Sequence, residues 1–190
     1  MRIVFGIGNP GNRYSQTRHN SGFLLLDQYA QKNSLSFAAS KYDYFFAEGK
    51  TAQSGFFLIK PTTYVNNSGL AALQVIEEYN IPISDFLVVA DDINLETGKI
   101  RIRVGGGDGG HNGLNSVIYH LNSDDFPRLR IGVGNNFGKG EMADYVLSQF
   151  TKDELPLIAS AIDSSVILID EFIQGGLKQM LDANSKMAKQ

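Results

Sequence analysis

An imidazole, a pair of adjacent carboxylates and several side-chain amides are the groups in this chain whose types and placing suit catalysis. His19 stands in Thr17-Arg18-His19-Asn20, just before an apolar helical pattern, and Asp91-Asp92 closes the apolar run 86–90. A carboxylate that orients an imidazole lets the ring take a proton from water, an arrangement worth roughly 10²–10⁴ in rate. Spacing alone leaves open which aspartate would partner His19, the other being a solvated turn acid. Asn9, Asn20, Asn66 and Asn112 fall in loops near strand ends. There a neutral amide can bind a polar substrate or steady an oxyanion. The plainer role for Asn66, Asn67 and Asn112 is to cap a helix, and a lone His19 would be a surface or capping histidine. His120 reads as structural or exposed.

A second constellation is cationic. Lys99, Arg101 and Arg103 alternate with Ile100, Ile102 and Val104, and Arg128 and Arg130 alternate with Leu129, Ile131 and Val133. If the two segments pair as strands, five cations share one sheet face, which suits a polyanion such as a nucleic-acid backbone. The net charge is −3, so such binding would have to be local.

Other chemistries fit less well. Gly6-Ile7-Gly8-Asn9-Pro10-Gly11 matches a dinucleotide-binding fingerprint. But Pro10 removes a backbone donor, and the helix pattern begins about ten residues too late for a pyrophosphate to sit on its N-terminus. A tight turn that exposes Asn9 explains the pattern better. There is no cysteine, no G-x-S-x-G elbow and no Walker loop. His19, His111, Asp91 and Asp92 could ligate a metal, but no local ligand spacing supports it, so a site without metal or cofactor is expected.

The elements that must position these groups follow from periodicity. Residues 3–7 read as a buried strand and 21–33 as a helix with Phe23, Leu26 and Ala30 inward. Segments 44–52 and 56–59 read as a hairpin joined through Gln53-Ser54-Gly55, stopped by Lys60-Pro61. A helix from Asn66-Asn67-Ser68 to about Tyr79 would bury Ala72, Val75, Ile76 and Tyr79. A central strand over 86–90, the two alternating strands and a short helix from His111-Asn112 to Leu121 complete the middle of the chain. Thr151-Lys152-Asp153-Glu154 is a capping box opening a long helix that Gly175-Gly176 breaks before a last short one. Strands alternating with helices predict an α/β single-domain sandwich, with a mixed, mostly parallel twisted sheet and helices on both faces. The domain should span 1–184, with 185–190 a frayed tail.

The composition is that of a globular chain, 43% hydrophobic and 19% charged over 190 residues. The absence of cysteine fits a reducing, cytoplasmic setting. The first strand is too short and glycine-interrupted for a signal peptide, and no membrane span is expected. No exposed apolar stripe is evident, so a monomer without an obligate protein partner is expected.

Taken together, five ordered motifs make the chain resemble the bacterial peptidyl-tRNA hydrolase family as far as about Gly134. They are Gly8-Asn9-Pro10-Gly11; Tyr14 with Thr17-Arg18-His19-Asn20; the run from Lys60-Pro61 through Tyr64-Val65-Asn66-Asn67-Ser68-Gly69; Asp91-Asp92-Ile93-Asn94-Leu95; and Gly109-Gly110-His111-Asn112-Gly113 with Arg128-Leu129-Arg130-Ile131-Gly132. The resemblance implies hydrolysis of the ester between peptide and tRNA, which recycles tRNA from peptides dropped by stalled ribosomes. It implies His19 as general base, Asp91 as its orienting partner and Asn9 among the catalytic amides. Tyr14, Tyr64, Asn66, His111 and Asn112 would contact substrate, with Tyr14 near the tRNA 3′ end. Arg103 and Arg130 would grip acceptor-stem phosphate. Two positions depart from the family's pattern, Val65 where methionine is usual and Asn94 where a second aspartate is usual. The glycine-rich loop and the last helices should form a mobile rim over the cleft.

Overall fold

The computed structural model describes residues 1–52 and 54–188. Its frame is a seven-stranded sheet. The strands are β1 (Arg2–Gly6), β2 (Ala38–Ala39), β3 (Tyr44–Lys50), β4 (Gly55–Pro61), β5 (Phe86–Asp92), β6 (Ile100–Arg103) and β7 (Arg128–Gly132), in the order β2-β3-β4-β1-β5-β7-β6. The four central strands β4, β1, β5 and β7 run parallel, and antiparallel strands flank them on both edges. The mixed sheet expected from the sequence is therefore present, parallel where it is most buried.

β1 and β5 are apolar on both faces because both faces are covered. Val4, Leu87 and Val89 pack under helices α1 (Ser21–Lys32) and α5 (Leu155–Met187). Ile3, Phe5, Phe86 and Val88 pack under α2 (Ser68–Tyr79) and α3 (Asn112–Leu121). A fifth helix, α4 (Met142–Val146), has no counterpart in the sequence reading.

Several local expectations shift. The inward face of α1 is Leu25, Leu26, Tyr29 and Ala30. Phe23 turns off it, toward Gly8, where an added Cβ would lie 2.7 Å from its ring. On α2 the buried face is Ala71, Ala72 and Val75, with Ile76 and Tyr79 half-buried at its rim. The hairpin closes through a bond from the Thr51 N–H to the Ser54 carbonyl, and Gln53 lies outside the described residues. The long helix carries its predicted break at Gly176, whose backbone is non-helical (φ 74°, ψ −167°). Beyond it the helix runs on to Met187, into the stretch expected to fray, while residues 189–190 lie outside the described residues.

The parallel strands bring the ends of β1 and β5 to one edge, at the point where consecutive connections leave β1 on opposite sides. That crevice is where open α/β sheets place their sites. The first turn of α1 is pressed onto it. A Cβ on Gly22 would come within 2.5 Å of the Ile7 carbonyl oxygen and 2.7 Å of that of Val89, so only glycine permits the approach. His19, one turn earlier, is held directly above the end of β5.

Candidate active site

His19 sits in a single 3-10 turn, Arg18–Asn20, and its Nδ1 meets Asp91 Oδ1 at 2.8 Å. Asp91 is almost fully buried at the end of β5, and it is a double acceptor: the same Oδ1 lies 2.9 Å from His111 Nε2. The two imidazoles lie 4.7 Å apart, centroid to centroid. The choice between the adjacent aspartates is thus resolved in favour of Asp91. Asp92 is the turn acid, its Oδ1 accepting from the Asn94 N–H at 2.8 Å. It is not solvated as expected, because its Oδ2 is buried against Arg130 Nε at 3.1 Å. That contact is an ion pair without hydrogen-bond geometry.

The tautomers follow from the partners. His111 Nδ1 accepts from the backbone N–H of both Gly113 and Leu114, at 3.1 and 3.2 Å, and so carries no proton. Its one N–H is at Nε2 and points at Asp91. His111, not Asn112, is therefore the cap of α3. A carboxylate accepts from His19 in the same way, which puts the His19 proton on Nδ1 and leaves Nε2 as the basic nitrogen. Burial works against the charged form of His19, yet the Asp91 charge and hydrogen bond outweigh it and raise its pKa above the ordinary 6.5. Asp91 itself is held well below the usual carboxylate range: burial pushes it up, and the two histidines pull it further down.

His19, Asp91 and His111 are residue types that hold divalent ions, and their ligating atoms lie within 4.8 Å of one another. The hydrogen bonding does not fit a metal. A histidine that ligates through Nε2 keeps its proton on Nδ1, and Nδ1 of His111 is committed to accepting two backbone donors.

Asn9 is set in the loop after β1 by a reciprocal clamp. Its N–H donates to Asn20 Oδ1 and its carbonyl accepts from Asn20 Nδ2, each at 2.9 Å. Its side-chain oxygen accepts from the Val65 N–H at 2.9 Å. The amide orientation is thereby determined, and Nδ2 faces the cleft with no partner among the described residues. Asn9 is buried rather than exposed, although it lines the cleft. The glycine-rich pattern around it serves packing, since Gly6 and Gly8 abut Gly22 and Phe23.

The cleft has a volume of about 320 Å³. His19, Asn9, Asp91 and His111 form its floor, with Asn66 and Asn112 exposed at its margin. Tyr14 and Tyr64 stand edge to face at 6.2 Å on one side, and the Arg13 guanidinium lies 4.5 Å over the Tyr14 ring. Gly109 and Gly110 of the glycine-rich loop line it, as do Met142, Ala143, Val146 and Leu147 on and beside α4. Val65 is buried in its wall. Asn94 Nδ2 donates to the Gly109 carbonyl at 3.3 Å, a bond an aspartate at that position could not make when ionised.

The basic strands pair as expected, with Arg101 opposite Arg130 and Arg103 opposite Arg128. They do not form a uniform cationic face. Arg128 is buried, its guanidinium donating to the carbonyls of Gly107 and Asp124 at 2.7 and 3.0 Å. Arg130 is held by Asp92 and by the Asp108 carbonyl. Both arginines fasten the glycine-rich loop, whereas Lys99 and Arg103 remain exposed.

Asn20 was read from the sequence as a candidate site amide and takes a different part, and Arg18 was not singled out at all. Asn20 is a buried clamp for Asn9 rather than a substrate amide. Arg18, 4% exposed, donates to Ser148 Oγ, the Gln149 carbonyl and Glu154, and lies 4.3 Å over the Tyr145 ring.

A family model described as peptidyl-tRNA hydrolase matches residues 3–190, well past the Gly134 limit of the motifs. The chain belongs to the peptidyl-tRNA hydrolase family. It is 40% identical over 182 residues to the peptidyl-tRNA hydrolase of Clostridium beijerinckii, covering 96% of this chain and 94% of that protein. It is 41% identical over 166 residues to that of Bacillus subtilis, covering 87% and 88%. A crystal structure of peptidyl-tRNA hydrolase from Acinetobacter baumannii superposes with a TM-score of 0.90 at 33% identity, covering 96% of this chain and 93% of that one. No described helix is long and apolar enough to cross a membrane.

Proposed function

We propose that this family member cleaves the ester joining a peptide's C-terminal carbonyl to the 3′-terminal ribose of tRNA, with His19 as the base that activates water. The observation that carries the reading is the 2.8 Å bond from His19 Nδ1 to buried Asp91, which leaves Nε2 basic. Nε2 takes a proton as the water oxygen attacks the ester carbonyl. The carbonyl oxygen becomes an oxyanion, for which the free Asn9 Nδ2 is a suitable donor. When the tetrahedral species collapses, the ribose oxygen leaves and takes the proton from His19. The products are a free peptide acid and tRNA with its terminal hydroxyl restored.

The other candidate residues have parts consistent with this reaction. Asn66 and Asn112 present amides with no side-chain partner among the described residues, which suit the peptide backbone or the water. Tyr14 and Tyr64 offer ring faces and edges to an unstacked terminal base, a common mode of single-stranded RNA recognition. His111 lies against the same substrate space while holding Asp91. Arg103, exposed on the edge strand, is suited to an acceptor-stem phosphate. Arg130 would add to such a contact only alongside its ion pair with Asp92. Acting in the cytoplasm on peptides dropped by stalled ribosomes, the enzyme would return tRNA to use. It needs no cofactor for this chemistry.

The test is release of an N-acylated amino acid from N-acyl-aminoacyl-tRNA, with EDTA present, by the native chain and by His19→Ala. Native turnover should persist in EDTA. The variant should lose ~10²–10⁴ in rate while tRNA binding is nearly unchanged. Full activity in His19→Ala would refute the mechanism, and chelator-sensitive native activity would point to a metal after all.

A further inference from the structure

Asp91 Oδ1 is shared by two imidazole donors, at 2.8 Å from His19 and 2.9 Å from His111. A carboxylate oxygen that accepts a second N–H has less charge to offer the first. His111 is not free to change its part in this. Its Nδ1 is held by the first two backbone amides it caps on α3, so the proton at Nε2 stays directed at Asp91. Those amides also belong to the positive end of a ten-residue helix, and the ring lies between that end and the carboxylate.

We infer that His111 is a positioning residue that moderates Asp91: by donating a second N–H to Oδ1 it holds the carboxylate in place and weakens it as a partner for charged His19, so that more of the His19 imidazole is neutral and available as a base near pH 7 than an unshared Asp91 would leave. Asp91 alone, buried and unmoderated, would favour imidazolium and switch the base off over more of the neutral range. The other charged or titratable groups around the cluster do not duplicate this role. Asp92 and Arg130 offset each other at 3.1 Å. Arg18, on the same turn as His19, is engaged by Glu154 at 2.6 Å. Asp108, within the glycine-rich loop, is engaged by Asn115 and the Gly110 N–H. Tyr14 and Tyr64 line the cleft beside the cluster and make no hydrogen bond to it among the described residues.

The inference rests on His19 being the base, and two substitutions separate its parts. His111→Asn places an amide oxygen where Nδ1 was, so the α3 cap can persist while the donor to Asp91 is lost. His111→Gln places an amide N–H near Nε2, so the donor can persist while the cap is lost. The measurements are the acid limb of kcat/KM on N-acyl-aminoacyl-tRNA and the His19 ring titration by NMR, followed in each protein. For His111→Asn the limb and the ring titration should both rise by about 0.5–1 unit, with Tm close to native. For His111→Gln both should stay near native, with Tm lowered by a few degrees. If His111→Asn leaves limb and titration within about 0.2 unit of native, the moderating role is wrong. If the native acid limb does not follow the His19 titration at all, the failure lies instead with His19 as base.

Discussion

Asn9 reaches the cleft with only half of its amide uncommitted, and that division says what it can do. The oxygen is spent on the Val65 N–H and the backbone on Asn20, so only Nδ2 is left for substrate. A preorganised donor of this kind stabilises charge that develops in the transition state and adds little to ground-state binding. Asn9→Asp keeps an acceptor for Val65 but replaces the donor with a carboxylate oxygen. It should lower kcat by roughly 10²–10³ with KM changed far less, as measured on N-acyl-aminoacyl-tRNA. Equal losses through KM would show that Asn9 binds rather than stabilises. At this scale the sequence was informative about which residues meet in the cleft and poor on how they pair. His19, the acidic pair and the loop amides stand out by type and place. That Asn20 serves Asn9, or that His111 rather than Asn112 caps α3, depends on which backbone each side chain meets, and residue type does not encode that.

At the scale of elements, the side chains around the cleft are held in place because their supports approach closely. Asn66 lies in the 3-10 turn just before α2 and Asn112 opens α3, and the two helices pack through Gly69. Its N–H donates to Ser116 Oγ at 3.0 Å, and a Cβ there would fall 2.0 Å from the Ser116 carbonyl oxygen. In a helix, glycine to alanine ordinarily stabilises by about 0.5–1 kcal/mol. Here the sign should reverse. Gly69→Ala must push the helices apart, costing about 1–3 kcal/mol by overpacking, readable as a lower denaturant midpoint at unchanged slope. A variant as stable as native would mean the helix pair is slack. Strong periodicity made nearly every large element legible: β1 and β5 as continuous apolar runs, β6 and β7 by alternation, α5 by its capping box. α4 was not legible, because five residues that follow Gly138 and Gly140 have too short a pattern to signal a helix. The hydrogen bond from Tyr145 to the Val133 carbonyl at 2.7 Å helps hold it against the cleft, a tertiary cause with no local trace.

Across the whole molecule, a buried cation helps tie the C-terminal third to the loop that carries His19. Arg18, next to His19, reaches 136 positions along the chain to Glu154, at 2.6 Å, where α5 begins. No local pattern in the sequence announces a contact of that span, although the capping box marked Glu154 for a different reason. Both uses are real: Glu154 also accepts from the Thr151 N–H at 2.7 Å. Partial burial raises the pKa of Glu154, but the Thr151 and Arg18 bonds outweigh it and leave the group below its ordinary value. A depressed carboxylate contributes stability that is fully present above its unfolded pKa and is lost as pH falls through the folded one. Glu154→Gln should therefore destabilise the chain by about 1–3 kcal/mol at pH 7, a range reduced for partial exposure, because it leaves buried Arg18 without its counter-charge. The gap between variant and native should narrow as pH drops below about 4 and close where native Glu154 is itself protonated. Urea unfolding of both proteins from pH 7 down to pH 3 reads this directly. A gap that stays constant with pH would show that the ion pair contributes nothing and that the variant merely loses packing.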